Sequence, residues 1–382
     1  MTSNKQEKKP WLKVILFNLL CFGIIIVITE LIYGGWLHKD KPLKVACVSL
    51  YCSAKFEYDS PTFGKTKFSK DKYGLRGRKS SNSDIDIVVV GGSTTDERSL
   101  DDKQEWAYVL EQEFIHSGKS IEIVNAGIGG QSTYGHIWNF NKWFPHIPNF
   151  SPKYILFYLG INDIDFRHRL RFIRPGNIPG NSKIWYDIKQ LTFKVFDDIR
   201  GLSFFYEILR NIKGTIAASK AGLSYRMDVS DVIYEVEFDS NKNNWDNYKN
   251  DFLKEEFVPR LKELLRLTRK IGAEPIFVTQ RTARWVLKEG KIFGQGANTN
   301  RGTEIFKGKK YFFNSSDIGF KEKLLSDSVL EFCEKNKLLC IDGFSNFPIN
   351  NNTTSDLTHT NAEGSRKIAE KLFELLKPRI QL

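Results

Sequence analysis

The stretch Ile85-Asp86-Ile87-Val88-Val89-Val90-Gly91-Gly92-Ser93-Thr94-Thr95 decides the fold class. Its first six residues are a short, β-branched apolar run ended by two glycines, which reads as a buried strand entering a tight turn. The same figure recurs twice. Ile121-Glu122-Ile123-Val124 runs into Asn125-Ala126-Gly127-Ile128-Gly129-Gly130, and Tyr154-Ile155-Leu156-Phe157-Tyr158-Leu159 runs into Gly160-Ile161-Asn162-Asp163. Helical spacings over 106–114 and 134–144 separate the three strands. A long amphipathic helix over 245–270, ended by Gly272, leads to a fourth strand at Pro275-Ile276-Phe277-Val278-Thr279. A helix over 318–335 leads to a fifth at 338–341, and a last helix covers 361–376.

Strands alternating with helices predict an α/β fold, a doubly wound five-stranded parallel sheet with helices on both faces. Ligands of such sheets bind beyond the carboxyl ends of the strands, and the first three blocks lie there. Residues 167–243 interrupt the rhythm as an insertion rich in Arg, Phe and Tyr. Arg167, His168, Arg169, Arg171 and Arg174 follow the third block and read as a solvated basic surface before an anion site. Residues 285–320 read as a second polar excursion. Repeats and low-complexity segments are absent from the sequence.

The blocks offer the parts of an acyl-transfer site. A serine hydroxyl needs a base before it attacks, and Ser93 sits in a glycine turn whose N–H groups can face an oxyanion. Taken alone, the same turn is an ordinary helix N-cap. Gly130 lets the backbone approach a reacting carbonyl, with Gly127 and Gly129 as alternatives in the same loop. Asn162 can donate a side-chain N–H, and its plainer reading is an Asx turn at a strand end. A fourth block, Asp356-Leu357-Thr358-His359, carries one of only six histidines three residues after an aspartate, just before the last helix. A carboxylate there holds the imidazole tautomer.

Gly-x-Ser, then Asn-Ala-x-x-x-Gly, then Gly-x-Asn-Asp, then Asp-x-x-His resembles the SGNH, or GDSL-like, hydrolase superfamily, over roughly residues 84–165 and 270–377. The resemblance implies a flavodoxin-like sheet and a serine hydrolase without cofactor or metal. Ser93 is then nucleophile and, through its N–H, an oxyanion donor. Gly130 and Asn162 complete the oxyanion hole, His359 is the base and Asp356 orients it. Gly92 stands where the eponymous motif has aspartate, a form that resembles many membrane-anchored bacterial members.

The N-terminus carries a targeting signal. Lys5, Lys8, Lys9 and Lys13 precede an apolar run over 14–33 broken by Asn18, Thr29 and Glu30, long enough for one membrane-spanning helix. No small-x-small cleavage site follows, so the run reads as an uncleaved signal-anchor in the inner membrane, with a cleaved signal peptide as the alternative. The flanking lysines predict N-terminus in and the catalytic part in the periplasm, although Lys39, Lys41 and Lys44 weaken that orientation. The plan is a cytoplasmic tail (1–13), an anchor (14–36), a linker and lead-in (37–83) and the hydrolase-like domain (84–382) carrying the 167–243 insertion. An exported domain permits disulfides Cys47–Cys52 and Cys333–Cys340; buried thiols are the alternative. The net charge of +12 is scattered, with no basic run interleaved with stacking aromatics, so nucleic acid is not the expected partner.

The expected function is a membrane-anchored serine esterase acting on ester-linked acyl groups, O-acetyl above all, of an extracytoplasmic glycan. An O-acyltransferase, a lipid esterase or thioesterase, and a silent glycan-binding scaffold are the alternatives. An acylated glycan or lipid is therefore the expected partner, with the membrane.

Overall fold

Helix α1 (Pro10–Tyr33) forms from the N-terminal apolar run. Its 24 residues, at 1.5 Å each, extend about 36 Å, more than the roughly 30 Å of a bilayer's hydrocarbon core. Among the described residues it is the one helix long and apolar enough to cross a membrane. The computed structural model describes residues 10–34, 36–37, 55–60, 64–77, 85–164, 203–205, 208–209, 232–295, 302–306 and 309–381. The chain divides into two compact units: Met1–Ser49 with Pro179–Lys213, which holds α1, and Leu50–Ile178 with Gly214–Leu382.

The larger unit opens with an antiparallel hairpin of β1 (Lys55–Ser60) and β2 (Gly64–Ser69). Strand β3 (Ile87–Gly91) leads into the four-residue helix α2 (Ser93–Asp96) and then α3 (Trp106–His116). Strand β4 (Ile123–Asn125), helix α4 (Thr133–Lys142) and strand β5 (Tyr154–Leu159) follow. After β6 (Tyr234–Glu237) comes the long helical stretch expected over 245–270. Its middle, Tyr248–Phe257, is wound in wider π turns, and its second half is α5 (Val258–Lys270). Beyond it lie β7 (Glu274–Thr279), β8 (Trp285–Lys288), β9 (Lys291–Gln295), β10 (Gly302–Phe306) and β11 (Lys309–Phe313). Helix α6 (Ser315–Asn336), β12 (Leu339–Ile341) and helix α7 (Ala362–Leu376) complete the unit.

Strands β3, β4, β5, β7 and β12 form the expected five-stranded parallel sheet, in spatial order β12-β7-β5-β3-β4. Counted along the chain this is 2-1-3-4-5, the flavodoxin-like winding, whose direction reverses between β3 and β5. Every residue of β3 is buried, because both faces of the sheet are covered. The period of two sorts the faces. Ile87, Val89, Leu156, Tyr158, Ile276 and Val278 share one core with Trp106, Leu110 and Phe114 of α3 and Ile368, Leu372 and Leu376 of α7. On the other face Phe157 stacks on Phe277 at 5.3 Å, Phe277 meets Phe332 of α6 edge-on, and Phe140 of α4 lies 6.2 Å from Phe157.

The stretch 285–320 is more regular than its polarity suggests. Strands β8 and β9 are joined by the two-residue turn Glu289-Gly290, both at positive φ, as tight hairpin turns require. Strand β9 also pairs with β6, and β10 pairs with β11. Helix α6 starts three residues before its apolar pattern does, because Asn314 and Asp317 form a reciprocal capping box. Cys333, at the end of α6, is bonded to Cys340 in β12. Cys47, Cys52 and the basic group from Arg167 to Arg174 lie outside the described residues.

Candidate active site

Ser93 is the first residue of α2, immediately beyond the carboxyl end of β3. The first N–H groups of a helix have no partner within it, so the turn directs backbone donors outward beside the hydroxyl. Position 92 is glycine for a steric reason. A β-carbon there would collide with the Asn162 amide nitrogen and lie 3.1 Å from the Gln131 carbonyl oxygen. The residue that departs from the eponymous motif thus leaves the room that Asn162 occupies.

The third block follows β5 as a single 3-10 turn, Ile161–Ile164. The Asn162 amide donates to the Gln131 carbonyl at 2.9 Å, so it touches both the serine turn and the loop that holds Gly130. Gly130 itself sits at φ +77°, and a β-carbon there would meet open space. That left-handed conformation is one that glycine adopts without strain. Gly127, in the same loop, packs on the backbone of Thr95 and Asp96.

The fourth block is a loop pinched shut by a bridge between Thr354 and Thr360. Asp356 Oδ1 accepts the N–H groups of Thr358 and His359, both at 2.6 Å, and Oδ2 lies 2.7 Å from His359 Nδ1. His359 Nε2 is 2.8 Å from Ser93 Oγ. Burial raises Asp356, but His359 and those backbone donors outweigh it and hold the carboxyl below its ordinary value. An ionised carboxylate only accepts, so Nδ1 carries the proton and Nε2 is free to accept the Ser93 hydroxyl proton. His136 is no rival base: burial pushes it down to about 3, and its ring packs near Phe157.

Several buried polar residues to which the sequence reading gave no role hold these parts together. Gln280, just past β7, accepts the Thr94 hydroxyl at 2.8 Å and donates to the Tyr158 carbonyl at 3.1 Å. It follows an apolar strand just as the first three blocks do, and that was the available signal. Asp163 accepts the Thr133 hydroxyl at 2.6 Å and pairs with Arg260 of α5 at 3.2 Å. Lys70 pairs with Asp96 at 2.8 Å and donates to the Gly127 carbonyl, with Lys70 and Asp96 both 2 % exposed. Burial raises Asp96, yet Lys70 and Arg98 hold it down at about 2. Arg76 pairs with Asp102 and donates to the carbonyls of Asp96 and Leu100. Nothing in the pattern of 64–77 marks these lysine and arginine side chains as buried. Glu97, the C-cap of α2, accepts from Thr360 and Ser365 hydroxyls and from the Trp106 N–H. Burial pushes it up to about 8. Among the described residues no group of three or more His, Cys, Asp and Glu is arranged to hold a metal ion.

By its sheet order the chain has a flavodoxin-like α/β fold, and its first three blocks lie at the carboxyl ends of the strands. No family model and no curated protein matches it. Among solved structures it is similar to a variant of an acetyl-xylooligosaccharide esterase from Geobacillus, at 12% identity over 78% of this chain and 96% of that one, with a TM-score of 0.41. It is also similar to a G-D-S-L lipolytic protein from Veillonella parvula (12%, 78% and 100%, 0.38) and a GDSL-like lipase from Bacteroides thetaiotaomicron (11%, 79% and 93%, 0.37).

Proposed function

We propose that this chain is a membrane-anchored serine esterase that removes O-acyl groups, O-acetyl in the first place, from a glycan outside the cytoplasm. The observation that carries the chemistry is the unbroken chain from Asp356 through His359 to Ser93, at 2.7 and 2.8 Å, beyond the carboxyl end of β3. Membrane anchoring is supported by α1, and the glycan substrate by the exported topology that the lysine distribution suggests.

The reaction follows from the placement. His359 Nε2 takes the Ser93 proton as Oγ attacks the ester carbonyl carbon. The carbonyl π pair moves onto oxygen, where the N–H groups of Ser93 and Gly130 and the Asn162 amide receive the charge. The intermediate collapses, the C–O bond to the sugar breaks, and His359 returns the proton to the leaving alkoxide. Water then attacks the Ser93 acyl ester, its proton passing to His359, and releases the carboxylic acid and the free serine.

The test is hydrolysis of p-nitrophenyl acetate and a long-chain ester by the chain in detergent, with Ser93→Ala beside it. Turnover that favours acetate and falls at least about 10³-fold in Ser93→Ala is the expected result. Equal turnover by Ser93→Ala would end the proposal. Preference for the long chain would move the substrate to lipid. A folded protein that is inert until a sugar acceptor is added would make it a transferase.

A further inference from the structure

Glu30 is the one charged residue within the apolar run 14–33. A bare carboxylate at that depth is expensive, and this one has four donors. The Ser203 hydroxyl and the Phe205 N–H donate to Oε1 at 2.7 and 3.1 Å; the Phe204 N–H and Trp36 Nε1–H donate to Oε2, each at 2.9 Å. The Phe204 ring lies 5.3 Å from Tyr33 and 5.6 Å from Phe205. A segment 173 positions downstream is thereby tied to the C-terminal end of α1. Away from this joint the segment is apolar and uncovered: Phe205, Ile208 and Leu209 are 38, 39 and 65 % exposed, and Trp36 and Leu37 beside the end of α1 are exposed too. Arg200, Arg210 and Lys213 flank it in sequence.

We infer that residues 203–205 and 208–209 belong to a second membrane-contacting element, seated at the boundary of lipid headgroups and acyl chains and tethered to α1 by Glu30. Three observations select a bilayer as the occupant. The apolar patch is continuous with a helix whose own apolar side chains are uncovered. Aromatic and aliphatic side chains with flanking arginine and lysine suit an interface rich in anionic lipid. The carboxylate is consumed by backbone and side-chain donors, so it brings no net demand for water to that depth. The same contacts make α1 a retained part of the folded protein, because its removal would take away the Glu30 carboxylate that Ser203, Phe204 and Phe205 donate to.

The test uses the full chain in vesicles of phosphatidylcholine and phosphatidylglycerol at 3:1. Cys21, Cys47 and Cys52 are replaced by serine, and an environment-sensitive dye is placed on Leu209→Cys or, as control, on Glu289→Cys at the β8–β9 turn. The protein should float with the vesicles. Lipid nitroxides near the headgroup should quench the position-209 dye about twofold more than nitroxides at mid-chain, in keeping with an interfacial depth of roughly 5–10 Å, and the control dye should be quenched by neither. Adding Glu30→Gln should at least halve the quenching at 209 while flotation persists. Failure to float would overturn the retained helix. Flotation with an unquenched 209 dye would overturn the interfacial seat, as would stronger quenching from mid-chain. Quenching unchanged by Glu30→Gln would overturn the tether.

Discussion

Ser93 and His359 meet at 2.8 Å, yet opposite means hold them there. The serine turn rests on buried ions: Lys70 against Asp96, Arg76 against Asp102, and the Asn125 amide shared between the Thr95 carbonyl and Glu105. The histidine loop rests on its own turns and on hydrogen bonds from the segment after β7, where the Ala283 N–H donates to the Leu357 carbonyl at 2.9 Å and Arg284 to the Thr358 hydroxyl at 2.8 Å. A pinched bridge and an Asx turn shape it, and Asp356 and His359 remain 16 and 17 % exposed. On the serine side, placement of the nucleophile and stability of the unit are therefore one problem. On the histidine side they are separable. Glu97 is where the two meet, since it caps the serine helix and accepts from Thr360 beside the base.

The largest test of this contrast is Asp356→Asn. Loss of the tautomer-holding carboxylate should lower kcat about 10³–10⁴-fold, while the thermal midpoint barely moves. A large drop in the midpoint would show that Asp356 holds the loop's fold as well as the imidazole. Lys70→Met should do the reverse. It leaves a buried carboxylate short of a partner and should cost about 3–5 kcal/mol in urea unfolding at pH 7. Asp96 is held at about 2, below its ordinary 3.8, so its contribution is present above that ordinary value and fades as pH falls toward 2. The Lys70→Met deficit should accordingly be smaller at pH 3 than at pH 7, and an equal deficit would remove the ion pair from the account.

Asn162→Ala falls between the two sides. Its amide spans the serine turn and the Gly130 loop, and its loss should lower kcat about 10²–10³-fold, with KM little changed. A fall in stability without a fall in kcat would make the amide structural. The smallest effect is at Glu97. Its carboxyl is raised from 4.5 to about 8, so the folded chain holds a proton that the unfolded chain releases above pH 4.5. That stability is full below pH 4.5 and is lost as pH rises to about 8. Glu97→Gln mimics the protonated form. Its thermal midpoint should match the parent near pH 4.5 and exceed it by a few degrees at pH 8, and parallel curves would refute the proton.

What the sequence made legible was whatever repeats with a period or sits at the end of one. Ile87 to Val90, Tyr154 to Leu159 and Pro275 to Val278 announced the sheet, and the blocks at their ends announced where Ser93, Asn162 and Gly130 would gather. The Asp356–His359 spacing was legible because three residues suffice for an Asx turn. Long-range polar contacts were not. Glu97 meets Thr360 across 263 positions, and Lys70 meets Gly127 across 57; no local rule marks either partner. The hairpin at Glu289-Gly290 has no clear signature in the sequence, because glutamate rarely takes a positive φ and its tight turn asks for two such residues in succession.

The 266 positions between Ser93 and His359 also set a schedule. At 5–20 residues per second, a growing chain waits roughly 13–53 s after Ser93 is made before His359 exists. The serine turn can meanwhile gather Lys70, Arg76 and Asn125, all of which are already synthesised or soon follow. Acid–base help from His359 is withheld until that residue is made. Birth order thus acts as a safety catch: until then the chain carries Ser93 without the imidazole that would take its proton.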